Sequence, residues 1–271
     1  MKILITGADG FIGSYLKNRL KNSNHLTSPS RSNCDFANKN DVDHIFRDRY
    51  YDAVIHCAVE GRYTPMAISD NILNTNLAMF KNLSRYKDRF GKFINIGTGA
   101  EFGLTNNISN AREAEILNVD PKESYGLSKN WIAREILELN NFYTLRLFGI
   151  FDSSEPEARL LSGLDKKIKN KEVFELSNDR YCDYISADDF YMVITTVLND
   201  EINFKDFNCV YNSKFKLSDI CNLYCDIKNY DKSLIAIKSQ TNNHYTGNSF
   251  RLNSLNLPLK GLEESLKLYN R

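Results

Sequence analysis

The sequence lacks a long apolar run, an excess of charge of either sign and a set of residues spaced to bind a metal. No run approaches the ~20 apolar residues of a membrane span. The apolar part of Met1-Lys2-Ile3-Leu4-Ile5 is too short for a signal peptide, so we expect a cytoplasmic protein that does not enter a membrane. The 35 Lys and Arg residues balance 34 Asp and Glu residues, which argues against broad binding to nucleic acid but permits a local basic pocket.

The six cysteines and four histidines are scattered along the chain. Cys221 and Cys225 are four residues apart on a predicted helix, but no neighbouring histidine or cysteine pair completes a zinc site. We therefore expect buried free thiols in a reducing compartment and no metal site. The 271 residues suffice for one or two domains with substantial cores, and the 42% hydrophobic and 25% charged residues are typical of globular proteins.

Short apolar segments alternate with helical patterns through the first half of the chain. The spacing predicts strands at residues 2–6, 25–28, 53–58, 93–96 and 142–148, and helices at 11–21, 41–50, 68–87 and 124–140. Such alternation is typical of a parallel sheet with helices on both faces. We therefore expect an α/β fold with a Rossmann-type, doubly wound parallel sheet.

The second half of the chain is less regular. The patterns predict strands at 173–176, 183–186 and 207–211, and helices at 188–198, 219–227 and 261–269, the second of these helices capped by Ser218. We expect residues 1–150 and 182–212 to form a dinucleotide-binding domain. Residues 151–181 and 213–271 are expected to form a smaller α+β region that binds the substrate.

A glycine-rich turn, Thr6-Gly7-Ala8-Asp9-Gly10-Phe11-Ile12-Gly13, follows the first predicted strand and opens the first helix. Gly7 permits a tight turn, Gly10 lets the backbone approach a pyrophosphate, and Gly13 allows close helix–strand packing. The helix N-terminus offers N–H groups and the positive end of its dipole to phosphates. Gly7, Asp9, Gly10, Phe11 and Ile12 are therefore candidate ligands of a dinucleotide cofactor.

The second predicted strand indicates which dinucleotide is bound. NAD sites place an acidic residue near the end of this strand to bind the ribose hydroxyls. No Asp or Glu lies between Asn22 and Cys34, and Arg31 stands there instead. A guanidinium can hold a 2′-phosphate with two hydrogen bonds, so the sequence favours NADP(H), with NAD(H) as the alternative.

Further motifs follow the glycine-rich turn. They are Cys34-Asp35-Phe36, His56-Cys57-Ala58, Ile96-Gly97-Thr98, Tyr125-x-x-x-Lys129 and Asp183-Tyr184-Ile185-x-x-x-Asp189. With these motifs, nearly the whole chain resembles the extended short-chain dehydrogenases/reductases, in the NAD-dependent epimerase/dehydratase group that acts on nucleotide sugars. The resemblance implies that Asp35 and Phe36 contact the adenine and that Ala58 lies beside the dinucleotide. It also implies a homodimer packed through the helices at 68–87 and 124–140.

Tyr125 and Lys129 are four residues apart on a predicted helix and so share one face. A phenol has a pKa of about 10, and a neighbouring ammonium lowers it toward the neutral range. Thr98 follows a predicted strand at the edge where open α/β sheets bind ligands, and its hydroxyl can bond a substrate carbonyl or alcohol. We expect hydride transfer between a nicotinamide and a sugar carbon, with Tyr125 exchanging the proton. The resemblance implies that Lys129 also holds the nicotinamide ribose.

The residues after Thr98 bear on the reaction. Related sugar dehydratases carry Asp-Glu directly after this threonine, whereas this chain has Gly99-Ala100, so dehydration is not expected. We expect the NADPH-dependent reduction of a 4-keto nucleotide sugar in deoxysugar and surface polysaccharide synthesis. The alternative is a nucleotide-sugar 4-epimerase that keeps NAD tightly bound. A third hypothesis, a cofactor-binding sensor without chemistry, is disfavoured by the intact Tyr125 and Lys129.

Thr98, Gly99 and Arg180 are the candidate ligands of a nucleotide-diphosphate sugar. Relatives often carry a phosphate-binding arginine directly before the acidic residue at Asp183, where this chain has Cys182. Arg180 either takes over that role or is a surface or structural residue. Two further residues have open roles: His56 is expected to pack rather than to catalyse, and the single tryptophan, Trp131, packs in the core or at a dimer interface.

Overall fold

The computed structural model describes residues 1–61 and 70–269. The strands are β1 (Lys2–Thr6), β2 (His25–Thr27), β3 (Tyr51–His56), β4 (Phe90–Thr98), β5 (Ile108–Ala111), β6 (Phe142–Leu147), β7 (Ile150–Phe151), β8 (Phe174–Leu176), β9 (Ile185–Ser186), β10 (Asp206–Asn208), β11 (Ile235–Ile237) and β12 (Tyr245–Gly247). The helices are α1 (Phe11–Leu20), α2 (Lys39–Phe46), α3 (Asp70–Ser84), α4 (Ser124–Glu138), α5 (Leu160–Lys169), α6 (Ala187–Asn199), α7 (Leu217–Lys228), α8 (Phe250–Asn253) and α9 (Gly261–Lys267).

Six strands form the central sheet, in the order β10-β6-β4-β3-β1-β2, and they run parallel. The chain winds one way from β1 to β2 and the other way from β3 onward, so β1 and β3 flank the switch point where open α/β sheets bind ligands. Thr6, the last residue of β1, lies opposite His56, which lies opposite Asn95 in β4. The segments that follow these strands therefore emerge at one edge of the sheet. The expected α/β fold with a Rossmann-type parallel sheet is confirmed.

Aromatic packing holds the helices to this sheet. Phe93 stacks on Phe142 with ring centroids 4.8 Å apart, and Phe80 of α3 meets Phe93 edge-on at 5.8 Å. Ile132 and Ile136 of α4 pack into the same buried cluster. Large aromatic rings bury much apolar area per residue, so this cluster fixes α3 and α4 against the strands that carry the site.

The chain divides into two compact units. The first comprises Met1–Thr105, Glu113–Arg146 and Ile194–Phe207, and the second comprises Asn106–Arg112, Leu147–Val193 and Asn208–Arg271. The second unit has its own core, in which α5, α7 and α9 pack through residues such as Leu164, Tyr224 and Leu266. Its strands are short, and β5 pairs with β12, more than one hundred residues later in the chain.

Several predicted boundaries differ from the structure. The helix expected at 68–87 is α3 (Asp70–Ser84), and residues 68 and 69 lie outside the described part of the chain. Ser218 does not cap α7, because Lys216 is the N-cap residue and its backbone N–H donates to Asp219 at 3.0 Å. The Ser218 hydroxyl instead donates to the Asp179 carboxylate at 2.8 Å.

The expected burial of Cys221 and Cys225 is confirmed, and all six cysteines are free thiols. Within residues 1–61 and 70–269, no group of three His, Cys, Asp or Glu side chains is placed to hold a metal ion. No helix in the described part of the chain has both the length and the hydropathy required to cross a bilayer.

Candidate active site

The glycine-rich turn packs tightly against the end of β3. Gly7 has a φ of +63°, and a Cβ placed on it would lie 2.6 Å from the backbone nitrogen of Ala58. A Cβ on Gly13 would lie 2.1 Å from the Gly7 carbonyl oxygen. Gly7 thus forms the tight turn and Gly13 allows the close helix–strand packing that the sequence predicted, and side chains at these positions would push the turn away from β3 and α1.

The N-terminus of α1 opens at this turn without a side-chain cap. Gly10 is the N-cap residue, and neither a capping side chain nor an acidic residue occupies the first turn. The exposed Asp9 precedes it, and Phe11 and Ile12 are the first helical residues. The first N–H groups of a helix need acceptors, so this end suits an anionic ligand such as a pyrophosphate.

A pocket of about 250 Å³ lies beside the turn. It brings together most of the cofactor ligands expected from the sequence, and its lining includes Gly7, Asp9, Gly10, Arg31, Asp35, Phe36, Cys57, Ala58 and Glu60. The ring of Phe36 is buried, and one Asp35 oxygen accepts a hydrogen bond from the Ala37 N–H at 3.0 Å. A close-packed glycine turn, an uncapped helix end and this pocket together fit an adenine dinucleotide.

Arg31 reaches the pocket but is already engaged by a carboxylate. Its Nη1 atom donates to Oε2 of Glu60 at 2.9 Å, and its side chain remains 74% exposed. Sequence reasoning missed Glu60, because the residue follows β3 rather than β2, where an acidic ribose ligand was sought. Its only signal in the sequence was its place two residues after Ala58, the last residue of the His56-Cys57-Ala58 motif.

Thr98, Tyr125 and Lys129 come together in the first unit. Thr98 ends β4, and Tyr125 and Lys129 lie on one face in the first turns of α4. The Thr98 and Tyr125 side chains are hydrogen-bonded to each other. Lys129 is buried, its ammonium donates to the Ile96 carbonyl at 2.9 Å, and it interacts electrostatically with Cys57, which lines the pocket. The expected trio is therefore assembled beside the cofactor pocket.

The electrostatics of Tyr125 differ from the expectation. Desolvation raises the Tyr125 pKa to about 12, the Thr98 hydrogen bond opposes this rise, and the negative charge of Glu101 adds to it. Lys129 does not lower the Tyr125 pKa as the sequence suggested, since its ammonium is directed to the Ile96 carbonyl. Burial also lowers the pKa of Lys129, although Glu101 and Cys57 oppose that shift. Tyr125 is thus held as a neutral phenol.

Glu101 supports Thr98 from within the protein. Gly99–Phe102 forms a short 3-10 helix, in which Glu101 accepts the Thr98 N–H at 2.9 Å and Thr98 accepts the Ala100 N–H at 3.3 Å. Glu101 is fully buried and paired with the fully buried Arg146, which also donates to Asp206 at 3.3 Å. The role of Arg146 could not be read from the sequence, since its partners lie 45 and 60 residues away.

His56 has the packing role that the sequence predicted. It is 1% exposed, and its Nδ1 atom lies 2.8 Å from the Thr6 hydroxyl. That hydroxyl also accepts the Ala58 N–H at 3.1 Å. Burial first, and the charge of Lys129 second, lower the His56 pKa to about 3. His56 therefore stays neutral and ties the end of β1 to the end of β3.

Arg180 belongs to the second unit, whereas Thr98 and Gly99 belong to the first. Its guanidinium lies over the Tyr245 ring, 5.4 Å from the centroid, and its backbone carbonyl accepts the Leu217 N–H. The buried Cys182 stands beside it, and burial raises the pKa of that thiol to about 12. The side chain of Arg180 therefore has a stacking partner whether or not it also binds a phosphate.

Comparison with known proteins identifies the family to which the chain belongs. Residues 3–209 match the model of the "NAD dependent epimerase/dehydratase family", which is more than half of the chain. The chain belongs to the NAD-dependent epimerase/dehydratase family. The resemblance read from the motifs is thereby confirmed. A search of curated protein sequences finds no significant match.

Solved structures of similar fold cover nearly the whole chain. A GDP-mannoheptose C4 reductase from Campylobacter jejuni with NADP bound has a TM-score of 0.83 at 19% identity, covering 98% of this chain and 96% of that one. A dTDP-4-dehydrorhamnose reductase from Bacillus anthracis in complex with NADP has a TM-score of 0.82 at 15% identity, covering 99% and 96%. A UDP-glucose 4-epimerase from Thermotoga maritima with UDP-glucose has a TM-score of 0.79 at 21% identity, covering 99% and 97%. At these identities the likeness establishes the fold alone.

Within this family, the segment after Thr98 limits what chemistry this chain can perform. Gly99 and Ala100 are buried and carry no ionisable group. The nearest carboxylate, Glu101, is fully buried and engaged by Arg146 and the Thr98 N–H. A carboxylate held in this way orients Thr98 and is not placed to act as a base that takes a proton from a substrate.

Proposed function

We propose that this protein reduces the keto group of a 4-keto nucleotide sugar with NADPH. The observation that carries the proposal is the hydrogen bond between the Thr98 and Tyr125 side chains, beside Lys129 and the dinucleotide pocket. Two hydroxyls that meet at the carboxyl edge of the sheet can bind one carbonyl oxygen and give it a proton. Reduction also needs a hydride, which a reduced nicotinamide supplies when bound.

The proton balance favours reduction. When a hydride adds to the carbonyl carbon, the carbonyl oxygen must gain a proton to become an alcohol, and Tyr125 is the donor. A donor must be protonated before the step, and a pKa of about 12 keeps Tyr125 neutral at physiological pH. Thr98 holds the oxygen in position, while Lys129, by resemblance to the family, holds the nicotinamide ribose. Dehydration is not supported, because Gly99 and Ala100 offer no acid or base.

We also assign residues to the cofactor site and to the substrate site. Arg31 at the mouth of the pocket supports NADP(H), and its partner Glu60 leaves NAD(H) as the alternative. Thr98 and Gly99 are proposed to contact the sugar, and Arg180 is proposed to contact the diphosphate. We place the reaction in deoxysugar and surface polysaccharide synthesis, as the family resemblance implies, and propose that it takes place in the cytoplasm.

The proposal is tested by following NADPH absorbance with a panel of 4-keto-6-deoxy nucleotide sugars carrying different bases. We expect NADPH absorbance to fall with the nucleotide sugar that carries one of these bases. The Tyr125→Phe variant should show no such fall, although it should still bind NADPH. Tyr50→Phe, which alters an exposed tyrosine, serves as the matched control and should retain full turnover. Interconversion of sugar stereoisomers without net NADPH consumption would overturn the reductase in favour of an epimerase with bound NAD.

We also propose a homodimer formed through α3 and α4. Ile132 and Ile136 are buried in the core, whereas Ile72, Leu73 and Leu77 are half-buried and Trp131 is 45% exposed. Light scattering at micromolar concentration should give the dimer mass, and Trp131→Glu should give the monomer. Phe250→Glu, at an exposed aromatic residue of the second unit, is the matched control and should remain dimeric. A monomeric unsubstituted protein would contradict the proposal.

A further inference from the structure

Glu60 places a carboxylate in the pocket that we assign to the dinucleotide. It follows β3 and lines the same pocket as the glycine-rich turn, Arg31 and Asp35. Its Oε2 atom accepts a hydrogen bond from Nη1 of Arg31 at 2.9 Å. The carboxylate therefore engages the guanidinium that a 2′-phosphate would use.

The backbone of Glu60 is fixed by a buried amide. The Asn76 side-chain oxygen accepts the Glu60 N–H at 2.7 Å, and its Nδ2 atom donates to the Glu60 carbonyl at 3.1 Å. Asn76 lies on α3, is 2% exposed and also donates to the Ser128 hydroxyl at 3.0 Å. The Arg31 side chain is 74% exposed, against 31% for that of Glu60. Glu60 is thus the anchored partner, and Arg31 is the partner whose side chain can turn toward a ligand.

The two side chains favour opposite cofactors. A phosphate monoester carries a charge of about −1.5 to −2 near neutral pH, so it binds Arg31 and is repelled by Glu60. The 2′-hydroxyl of an NAD ribose is a donor that a carboxylate accepts. An ion pair at this exposure is weak, so a phosphate can displace Glu60 from Arg31 without preventing NADPH from binding.

We propose that Glu60 is a specificity-determining residue, which neutralises Arg31 and narrows the preference of this site for NADPH over NADH. The inference rests on the dinucleotide site of the proposed function. Removing the Glu60 charge frees Arg31 and removes repulsion of the 2′-phosphate, so NADPH should bind about three- to tenfold more tightly.

Calorimetric titration of the protein without sugar substrate tests the inference. Glu60→Gln keeps the size of the side chain and removes its charge. It should tighten the binding of NADPH and of adenosine 2′,5′-bisphosphate about three- to tenfold, and leave NADH and 5′-AMP unchanged or weaker. In an Arg31→Met background the same substitution should give a smaller gain, because the guanidinium that it frees is absent and only the repulsion of the 2′-phosphate is removed.

Glu157→Gln is the matched control, since Glu157 is an exposed glutamate paired with Lys166 in the other unit. It should leave all four affinities unchanged, and thermal unfolding should show that each variant is folded. Equal tightening for every nucleotide, weaker NADPH binding by Glu60→Gln, or a gain of undiminished size without Arg31 would overturn the inference. A shifted NADPH preference in a protein that reduces no 4-keto sugar would refute the proposed reaction and leave the role of Glu60 standing.

Discussion

Replacing Arg146 with methionine should destabilise the first unit severely. Arg146 has no solvent exposure, its Nε atom donates to Glu101, and its Nη atoms donate to Asp206. Its guanidinium also lies over the Phe102 ring, 5.3 Å from the centroid. Methionine fills a similar volume, so the substitution removes the charge and the hydrogen bonds more than it removes the packing.

The loss of unfolding free energy in Arg146→Met follows from the burial of Glu101 and Asp206. Without Arg146, two buried carboxylates lose their counter-charge, and breaking a buried ion pair from one side costs about 3–5 kcal/mol. For a unit of this size, each kcal/mol lowers the melting temperature by about 2–4 °C, so we expect a loss of roughly 10 °C. Glu101 also orients Thr98 through the Thr98 N–H, so turnover should fall even at temperatures where the variant is folded.

Urea denaturation and thermal melts measure this cost. Arg85→Met is the matched control, because Arg85 pairs with Asp43 at 2.8 Å where both side chains are 38% exposed. That substitution should cost less than about 1 kcal/mol. Adding Glu101→Gln to Arg146→Met should restore part of the loss, because one of the two carboxylates that lose the guanidinium becomes neutral.

The pH dependence of Arg146→Met gives a second check. Burial already raises the Glu101 pKa in the folded protein, and removing Arg146 removes the main interaction that lowers it. A carboxyl with a folded pKa above its unfolded value stabilises the protein at low pH, and this stability is lost as pH rises through the folded pKa. The cost of the substitution should therefore be smaller at pH 4 than at pH 8. A loss below about 1 kcal/mol at neutral pH, equal to that of Arg85→Met, would refute the reasoning.

Three further predictions concern other parts of the molecule. Burial raises the Asp183 pKa from 3.8 to about 6 despite Lys214. The contribution of Asp183 to the unfolding free energy should therefore fall by about 2 kcal/mol between pH 4 and pH 6. Urea titrations of Asp183→Asn should lack that fall. A Cβ on Gly10 would lie 3.3 Å from the Gly7 oxygen, so Gly10→Ala should weaken NADPH binding at least about tenfold with little change in melting temperature. A Cβ on Gly13 would lie 2.1 Å from the same oxygen, so Gly13→Ala should lower both the affinity and the melting temperature. Equal melting temperatures of the two variants would contradict this. The rate of keto reduction should stay level from pH 6 to about 10, because Tyr125 remains protonated, and an alkaline decline near pH 8 would argue against this.

The sequence was most informative where periodicity and burial coincide. The strands of the first half are buried apolar runs, so β1, β3, β4 and β6 could be predicted to within a few residues. In the second unit, the strands predicted at 173–176 and 183–186 match β8 and β9. Its other strands, β5, β7, β11 and β12, were not predicted, because two to four residues carry no periodicity. The pairing of β5 with β12 depends on a register between distant segments, for which a single sequence holds no signal.

The site shows the same division between local and distant information. The spacing of Tyr125 and Lys129 is local to one helix, and the sheet edge after β4 supplied Thr98, so all three could be named. The Glu60 ion pair and the Arg146 cluster join residues 29 to 60 positions apart, so their partners emerge only when the chain is folded. The pKa of Tyr125 belongs to this second class, because desolvation by the surrounding protein sets its direction.

The hydrogen bonds of Asn76 connect the cofactor pocket to the helix that carries the proposed acid. Its amide holds the Glu60 backbone on one side and donates to the Ser128 hydroxyl on the other, and that hydroxyl donates to the Tyr125 carbonyl at 2.8 Å. Each bond is buried or partly buried, where an unsatisfied polar group is costly, so the arrangement is held as a unit. The position of Glu60 is therefore set by the same core that sets the start of α4, whereas the side chain of Arg31 is held, among the described residues, by its ion pair with Glu60. This asymmetry explains why the cofactor preference of the site should respond more to the charge at Glu60 than to any rearrangement of the catalytic helix.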